Sequence, residues 1–167
     1  MRILAEVETV LRSLRGVWDE ESVDELDHAL QSAARAIDDA ADDELVLAAA
    51  LHDLAHSPVI EAGPDHDRVA RDWLTPRFGV RVGWLAGAHV AAKRYLAATD
   101  PGYALSQVSA LSLDRQGGAG VDTAFVGHPW WPDALRLRRY DDAAKDPGAR
   151  AATIEDVLTV AERILRR

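Results

Sequence analysis

The stretch DELVLAAALHDL, residues Asp43 to Leu54, decides the fold class of this chain. Its first nine residues place apolar side chains on every side of a helix, and it then ends in an imidazole and a carboxylate. A helix without a polar face buries itself among other elements. The stretch therefore predicts a short central helix over residues 43–54 that is surrounded by other helices.

Helical periodicity extends over most of the remaining chain. Apolar residues recur at three- and four-residue steps, which is typical of amphipathic helices. Ser22 with Glu25, and Thr153 with Asp156, have the spacing of capping boxes. The further helices are predicted over residues 3–14, 23–37, 65–78, 80–98, 103–113, 131–145 and 153–165. We predict an all-α fold, in one domain of residues 1–167.

Composition limits the classes of protein that the chain can belong to. The 167 residues contain no cysteine, which excludes disulfide scaffolds, thiolate metal sites and a cysteine nucleophile. Nineteen basic against 28 acidic residues give a net charge of −9, which argues against binding to nucleic acid or anionic membranes. Met1–Ala5 is followed at once by Glu6 and Glu8, so no apolar signal core develops. We expect a soluble cytoplasmic protein.

The unit Leu51–His56, LHDLAH, carries the first sign of chemistry. Burying the imidazole of His52 beside the carboxylate of Asp53 costs several kcal/mol unless something compensates both groups. A metal ion does so, because it binds a deprotonated carboxylate together with a neutral imidazole. The alternative for the bare dipeptide is a His–Asp pair at a frayed helix end.

Four further residues extend the ligand set, although each alone has an ordinary explanation. His28 would be a hydrogen-bonded core histidine, and His66 a surface residue at a helix start. His89 lies in an apolar helix and needs a partner there. Asp141 would pair on the surface with Arg138, three residues earlier.

Taken together with His52 and Asp53, these residues provide enough nitrogen and oxygen ligands for two metal ions. A carboxylate that bridges two ions allows the separation of roughly 3.5–4 Å that two-metal sites use. Ligands of this kind suit iron or manganese, and they do not exclude zinc or nickel. The predicted assignment is one ion on His28, His52 and Asp141, the other on His66 and His89, and Asp53 as the bridge.

Five ordered motifs resemble those of the small HD-domain oxygenases that degrade phosphonates, the PhnZ and TmpB type, over nearly the full chain. The segments and the family patterns that they match are Leu26–Ala33 with LEHALQxA, Leu51–His56 with LHDIGH, His89–Leu96 with HVxAKRYL, Leu113–Gly118 with LxxQGG, and Leu137–Lys145 with LRRWDDxAK. Five motifs in the same order are a far more specific signal than the His–Asp dipeptide alone.

The resemblance implies an activity and its cofactors. It implies a single HD-domain helical bundle with a mixed-valent Fe(II)/Fe(III) centre, held by the same six ligands, that uses O2 as co-substrate. The substrate would be a small 1-hydroxyphosphonate, such as 2-amino-1-hydroxyethylphosphonate or an N-methylated analogue. Its C–P bond would be cleaved to phosphate and a carboxylate. We expect a monomer or a weak homodimer.

The resemblance also implies a set of phosphonate-binding residues, namely His56, Lys93, Arg138, Ser109 and Ser112. The spacing is compatible with these roles, because Lys93 follows His89 by four residues and His56 follows His52 by four. A dianionic substrate beside a metal pair needs such cations and hydroxyl donors. Isolated lysine and arginine residues would otherwise be explained as solvated surface charges.

The chain departs from the family before the first histidine helix. The family pattern there is YxGE, in which the tyrosine is a labile iron ligand and the glutamate contacts the amino end of the substrate. Glu21 occupies the glutamate position, but Trp18 replaces the tyrosine. An indole cannot ligate iron, so Trp18 would form an altered lid, which could stack on a quaternary ammonium or select another substrate.

Two other functions remain open at this point. A metal-dependent HD phosphohydrolase, acting on a phosphate ester or nucleotide, would use the same ligands to activate water. A catalytically silent binding protein is the third interpretation, and the complete ligand set argues against it.

Overall fold

The computed structural model describes residues 1–19 and 22–167, and every regular element in these residues is a helix. One turn of 3-10 helix, Leu54–His56, separates the third and fourth α-helices. The α-helices of the described residues are α1 Arg2–Ser13, α2 Glu25–Asp38, α3 Asp43–Leu51, α4 His66–Phe78, α5 Val80–Gly87, α6 His89–Thr99, α7 Gln107–Arg115, α8 Thr123–Val126, α9 Trp131–Ala143 and α10 Ile154–Leu165. The prediction of an all-α fold is confirmed.

Helix α3 lies at the centre of the bundle, as its apolar sequence predicts. It contacts α2, α5, α9 and α10. All residues from Leu45 to Leu51 are buried, and Leu45, Leu47 and Leu51 are completely so. Burial of each such leucine contributes about 1.5–3 kcal/mol to the stability of the fold. The end of α3 is therefore held deep inside the molecule.

Short polar side chains cap the N-termini of α2, α3, α7, α8 and α10. Thr153 and Asp156 form the predicted capping box at the start of α10. The prediction that Ser22 caps α2 was wrong, because α2 begins at Glu25 and Asp24 accepts the backbone N–H of Asp27 at 2.9 Å. Asp24 also accepts the N–H of Gly16, so its carboxylate serves the incoming loop as well as the helix.

The predicted helix over residues 43–54 ends earlier, at Leu51. The ring of His52 turns back to the carbonyl of Ala49, and Asp53 has left the helical conformation with φ −102° and ψ 20°. In the 3-10 turn that follows, the N–H groups of His56 and Ser57 donate to the carbonyls of Asp53 and Leu54. As a result, His52 and Asp53 occupy a turn at the end of a buried helix.

The predicted helix over residues 80–98 is two helices that meet at Ala88. Helix α5 packs closely on α4, and a Cβ at Gly87 would lie 3.0 Å from the Cβ of Arg71. The helix is interrupted at Ala88, whose N–H donates to the carbonyl of Leu85, and α6 begins at His89. The interruption was not visible in the sequence because Ala88 is compatible with an uninterrupted helix.

Two more boundaries and one additional helix differ from the prediction. Helix α7 begins at Gln107, since Ser106 caps it by accepting the N–H of Ser109. Helix α9 ends at Ala143, two residues before the predicted end. The short helix α8 was not predicted. Among the described residues, no helix has both the length and the apolar character that a membrane crossing requires.

Candidate metal centre and substrate cavity

The predicted ligands lie where helices begin or end around α3, apart from His28, which lies within α2. His52 and Asp53 follow α3, while His66 and His89 are the first residues of α4 and α6. Asp141 lies in the last turn of α9. The fold thus brings together side chains from five separate parts of the sequence.

Four of these residues form a first cluster, in which one donor atom of each lies within 4.8 Å of all the others. The Nε2 atoms of His28 and His52 are 3.4 Å apart. The Nε2 of His52 lies 3.0 Å from Oδ2 of Asp53, and that of His28 lies 3.4 Å from Oδ1 of Asp141.

The second cluster consists of Asp53, His66 and His89. The Nε2 atoms of the two histidines are 3.0 Å apart, and they lie 3.6 and 3.4 Å from Oδ1 of Asp53. Asp53 therefore presents Oδ2 to the first cluster and Oδ1 to the second. His66 is half-buried, so the alternative of a surface histidine does not hold.

Backbone carbonyls fix the orientation of three imidazoles. The Nδ1 atoms of His28, His52 and His89 lie 2.9, 2.8 and 2.5 Å from the carbonyl oxygens of Ala144, Ala49 and Ala86. A carbonyl only accepts, so each Nδ1 carries the proton and each neutral ring keeps a lone pair on Nε2. These lone pairs converge with the Asp53 and Asp141 carboxylates, and such a donor set fits metal ions.

The electrostatics of the cluster favour bound positive charge. Burial alone would raise the pKa of the Asp53 and Asp141 carboxyls, but the histidines, and for Asp141 also Arg138, hold both pKa values well below the usual range. Burial lowers the pKa of His52, yet the charges of Asp53 and Asp141 outweigh it and raise this pKa to about 10. Burial together with the nearby His89 lowers the pKa of His66 to about 4.

A group of cations and hydroxyls, which we call the cationic corner, lies beside the clusters. It consists of Lys93, Ser109, Ser112, Arg138 and Lys145. The Nζ of Lys93 donates to Oγ of Ser112 at 2.7 Å, and that of Lys145 donates to Oγ of Ser109 at 2.8 Å. Lys93 and Arg138 are buried, which excludes the alternative of solvated surface charges.

Arg138 links the cationic corner to the first cluster. Its guanidinium donates to Asp141 at 2.5 Å, to Asp142, and through Nε to the hydroxyl of Tyr103 at 2.9 Å. The hydroxyl of Tyr103 in turn donates to Asp142 at 2.6 Å. The predicted Arg138–Asp141 pair therefore exists, but it is buried and oriented instead of exposed.

The clusters and the cationic corner open into one cavity of about 640 Å³. Its wall includes Asp53, His66 and His89 of the second cluster and Asp141 of the first. Lys93 and Arg138 line the same space. A small anion in this cavity would touch the metal-binding residues and the cationic corner at the same time.

Comparison with known proteins decides the family. No family model matches the chain. A hydroxymethylphosphonate dioxygenase of Gimesia maris is 36% identical over 160 residues, which covers 87% of this chain and 80% of the relative. The chain belongs to the phosphonate-degrading HD-domain oxygenases.

Two further relatives resemble this oxygenase. A 1-hydroxy-2-(trimethylamino)ethylphosphonate dioxygenase (glycine-betaine-forming) of Leisingera caerulea is 32% identical over 138 residues, covering 75% of this chain and 70% of the relative. An uncharacterized protein of Acanthamoeba polyphaga mimivirus is 33% identical over 140 residues, covering 75% and 64%. Both named relatives are dioxygenases, so the chain is an oxygenase whose His/Asp clusters could bind metal.

Of the remaining predicted contacts of the oxygenase, His56 lines the cavity. His56, at the end of the 3-10 turn, lines the cavity with Nε2 3.8 Å from Asp19 and 3.9 Å from Asp53. Trp18 is 63% exposed and does not line the cavity. Glu21 lies outside the described residues.

Several residues of the site were not predicted from the sequence. Lys145 belongs to the segment that matches LRRWDDxAK, and Tyr103 follows the Asp-Pro-Gly turn, so a signal for both was present in the sequence. Glu25 was identified only as a capping residue, yet its carboxylate lies within 4.8 Å of donor atoms of Asp53 and His56. Burial and the charge of Asp53 raise the pKa of Glu25 to about 7.

Proposed function

We propose that this oxygenase holds two iron ions, as a mixed-valent Fe(II)/Fe(III) pair, on the six predicted ligands. The first ion takes the donors of the first cluster and the second ion those of the second, with Asp53 shared. The absence of thiolates and the mixture of imidazole and carboxylate donors support iron. Iron bound there would supply the one-electron chemistry that the activation of O2 requires. The ligands in this proposal are His28, His52, Asp53, His66, His89 and Asp141.

The proposed substrate is a small 1-hydroxyphosphonate, and the proposed reaction is oxidative cleavage of its C–P bond. One O2 is consumed; one of its oxygen atoms enters phosphate and the other enters the carboxylate formed from C1. The C–P bond and one C1–H bond are broken and the hydrogen leaves as a proton. The oxidation of C1 to a carboxylate supplies all four electrons that reduce O2, so no external reductant is needed. The names of the two dioxygenase relatives, which both act on hydroxyphosphonates, support this substrate class.

The residues of the cationic corner would bind and orient the phosphonate group. Lys93 and Arg138 supply positive charge in a buried position, where a charge-assisted hydrogen bond is strong. Ser112 and Ser109 are already hydrogen-bonded to lysines and would add hydroxyl contacts. His56 would close the other side of the phosphonate. This arrangement would hold C1 of the substrate beside Asp53, between the two clusters.

We propose that the substituent on C1 lies in the part of the cavity near His56. Asp19 lines this region and carries negative charge near His56. We propose that Glu21 contacts an amino group at this end of the substrate, with Trp18 as the lid residue. 2-Amino-1-hydroxyethylphosphonate and its N-methylated analogues fit this assignment. We further propose that the chain acts as one domain of residues 1–167, as a monomer or a weak homodimer.

The observation that carries the proposal is the common cavity, in which the ligand clusters and a buried cationic corner face the same space. The test is phosphate release by the iron-loaded chain from hydroxymethylphosphonate, 2-amino-1-hydroxyethylphosphonate and its N-trimethylated form, with and without O2. Release that requires O2, with one O2 consumed per phosphate, is the expected result. Release from phosphate esters without O2, and none from the phosphonates, would contradict the proposal in favour of a phosphohydrolase.

A further inference from the structure

The carboxylate of Glu25 is buried without a hydrogen-bond partner for one of its oxygens. Glu25 is the first residue of α2 and is 1% exposed. Its backbone N–H donates to the carbonyl of Val17 at 2.8 Å, which holds the residue in place. Its Oε2 finds no donor among the described residues. A buried acceptor without a donor destabilises the folded chain, and more so when it is charged.

The surroundings of Glu25 make its burial still less favourable. Donor atoms of Asp53 and His56 lie within 4.8 Å of its carboxylate, so that one acid is packed against another. In the described part of the chain, no lysine or arginine forms an ion pair with Glu25. Two neighbouring carboxylates in a dry site repel each other strongly unless a cation lies near both.

The adjacent residue, Asp24, shows how this chain satisfies an ordinary buried carboxylate. Asp24 is 4% exposed and accepts hydrogen bonds from the guanidinium of Arg15 and the backbone N–H groups of Gly16 and Asp27. All of these donors come from the protein itself. Glu25 has no such set of donors, although the two residues are adjacent and equally buried.

The metal pair of the proposed function would supply the missing positive charge. Two ligand carboxylates bring two negative charges, whereas Fe(II) with Fe(III) brings five positive ones. About three positive charges then remain uncompensated in a site of low dielectric, where charge interactions act over several ångströms. A carboxylate next to the shared ligand Asp53 lowers this excess.

We propose that Glu25 is a buried counter-charge for the metal pair, acting through its place beside Asp53 and His56. It is a positioning residue in this proposal, since it is not one of the six ligands and does not line the cavity. The inference rests on the metal-binding part of the proposed function and not on the identity of the substrate. Its charge strengthens metal binding and favours the more oxidised state of the pair.

The test compares the full-length metal-free chain with its Glu25→Gln variant, which keeps the shape of the side chain and removes the charge. Mn²⁺ is titrated into each by calorimetry, and thermal unfolding is followed with and without Mn²⁺. We expect Mn²⁺ to bind the variant about tenfold more weakly or worse, in line with losses of metal affinity at supporting residues. The metal-free variant should unfold at the same or a higher temperature, since the repulsion with Asp53 is gone.

A matched control is Asp24→Asn, which neutralises the neighbouring buried carboxylate. This variant should unfold at a lower temperature and keep its Mn²⁺ affinity, because the charge of Asp24 is already balanced by Arg15. With iron bound, Glu25→Gln should also move the Fe(III)/Fe(II) potential to a more positive value, whereas Asp24→Asn should not.

Two results would contradict the proposal that Glu25 is a counter-charge for the metal pair. One is a Glu25→Gln variant whose Mn²⁺ affinity is within twofold of the original chain. If it also unfolds at a lower temperature without metal, the partner of Glu25 is the imidazolium of His56. The other is a wild-type chain that binds no Mn²⁺ or iron, which would remove the metal pair as well. A wild-type chain that binds Mn²⁺ but does not turn over phosphonates would refute only the substrate assignment.

Discussion

At the residue scale, the imidazoles of the site are oriented by backbone carbonyls instead of by acidic side chains. His28 receives this support from Ala144, 116 positions away, while His52 and His89 receive it from the last turn of the preceding helix. A backbone acceptor cannot be removed by mutation and carries no charge. The negative charge of the centre is therefore concentrated on Asp53 and Asp141.

Asp53→Ala tests whether this carboxylate serves both clusters. We expect the variant to lose both metal ions, because Oδ1 and Oδ2 of Asp53 face different histidine pairs. Metal content per chain, measured by elemental analysis after loading with iron, should fall from about two to nearly zero. Asp67→Ala, which removes another cavity-lining carboxylate outside the six ligands, is the control and should keep both ions. Retention of one or both ions by Asp53→Ala would refute the bridging role.

The lowered pKa of Lys93 predicts that substrate binding depends on pH. Burial, together with the charge of Arg138, lowers the pKa of its ammonium to about 8. Lys93 is therefore charged below pH 8 and neutral above it, so a bound phosphonate loses one cationic partner as the pH rises. We expect KM to rise about tenfold between pH 7 and pH 9.

The Lys93→Arg variant is the control for this profile, because a guanidinium stays charged throughout the range. Its KM should change much less between the two pH values, with kcat and KM measured separately on the same hydroxyphosphonate. A profile shared by both proteins would mean that the ionisation belongs to the substrate or to another residue.

At the element scale, the position of the second cluster depends on how closely α4 and α5 pack. These helices approach each other at Gly83 and Gly87, and α5 leads directly into His89 while α4 begins with His66. A Cβ at Gly83 would lie 2.9 Å from the carbonyl oxygen of Arg71 and 3.1 Å from Cβ of Thr75. Two small residues thus set the distance between α4, which begins with His66, and α5, which leads into His89.

Gly83→Ala should destabilise the fold by about 1–3 kcal/mol, since overpacking outweighs the gain in helix propensity. Urea unfolding of the metal-free chain measures this loss. Gly127→Ala is the matched control, because its Cβ would meet no atom within 4 Å and its φ is −81°. A Gly83→Ala variant as stable as this control would show that α4 and α5 separate without cost.

At the scale of the whole molecule, an acidic chain encloses a centre that attracts cations. The net charge is −9, yet the cavity is lined on one side by a buried lysine and arginine. The buried carboxylates of the clusters account for the attraction, as they raise the pKa of both His28 and His52. Protons and metal ions therefore compete for the same Nε2 atoms.

This competition predicts how stability depends on pH. The folded pKa of His52 is raised from 6.5 to about 10, so its contribution is fully present below pH 6.5 and is lost as the pH rises to 10. The lowered pKa values of Asp53 and Asp141 act in the opposite direction, because their contribution is lost only as the pH falls into the acidic range. The metal-free chain should lose stability between pH 6.5 and 10.

Urea unfolding across this range, with and without saturating Mn²⁺, measures the effect. Bound Mn²⁺ should remove most of the loss of stability at alkaline pH, because it replaces the proton on the imidazole of His52. The His52→Gln variant should show a flatter profile without metal. A metal-free wild-type chain whose unfolding midpoint is constant from pH 6.5 to 10 would contradict the prediction.

The amino-acid pattern alone predicts the helical fold, the central position of α3 and the chemical types of the proposed ligands. These features depend on local patterns, namely the 3.6-residue period, the all-apolar stretch before His52 and the order of the histidines and aspartates. Only the folded arrangement shows which histidines face each oxygen of Asp53, the break between α5 and α6, the Lys145–Ser109 contact and the burial of Glu25 beside Asp53. Each of these depends on atoms from distant parts of the chain that meet only after packing, and no local pattern encodes such distances.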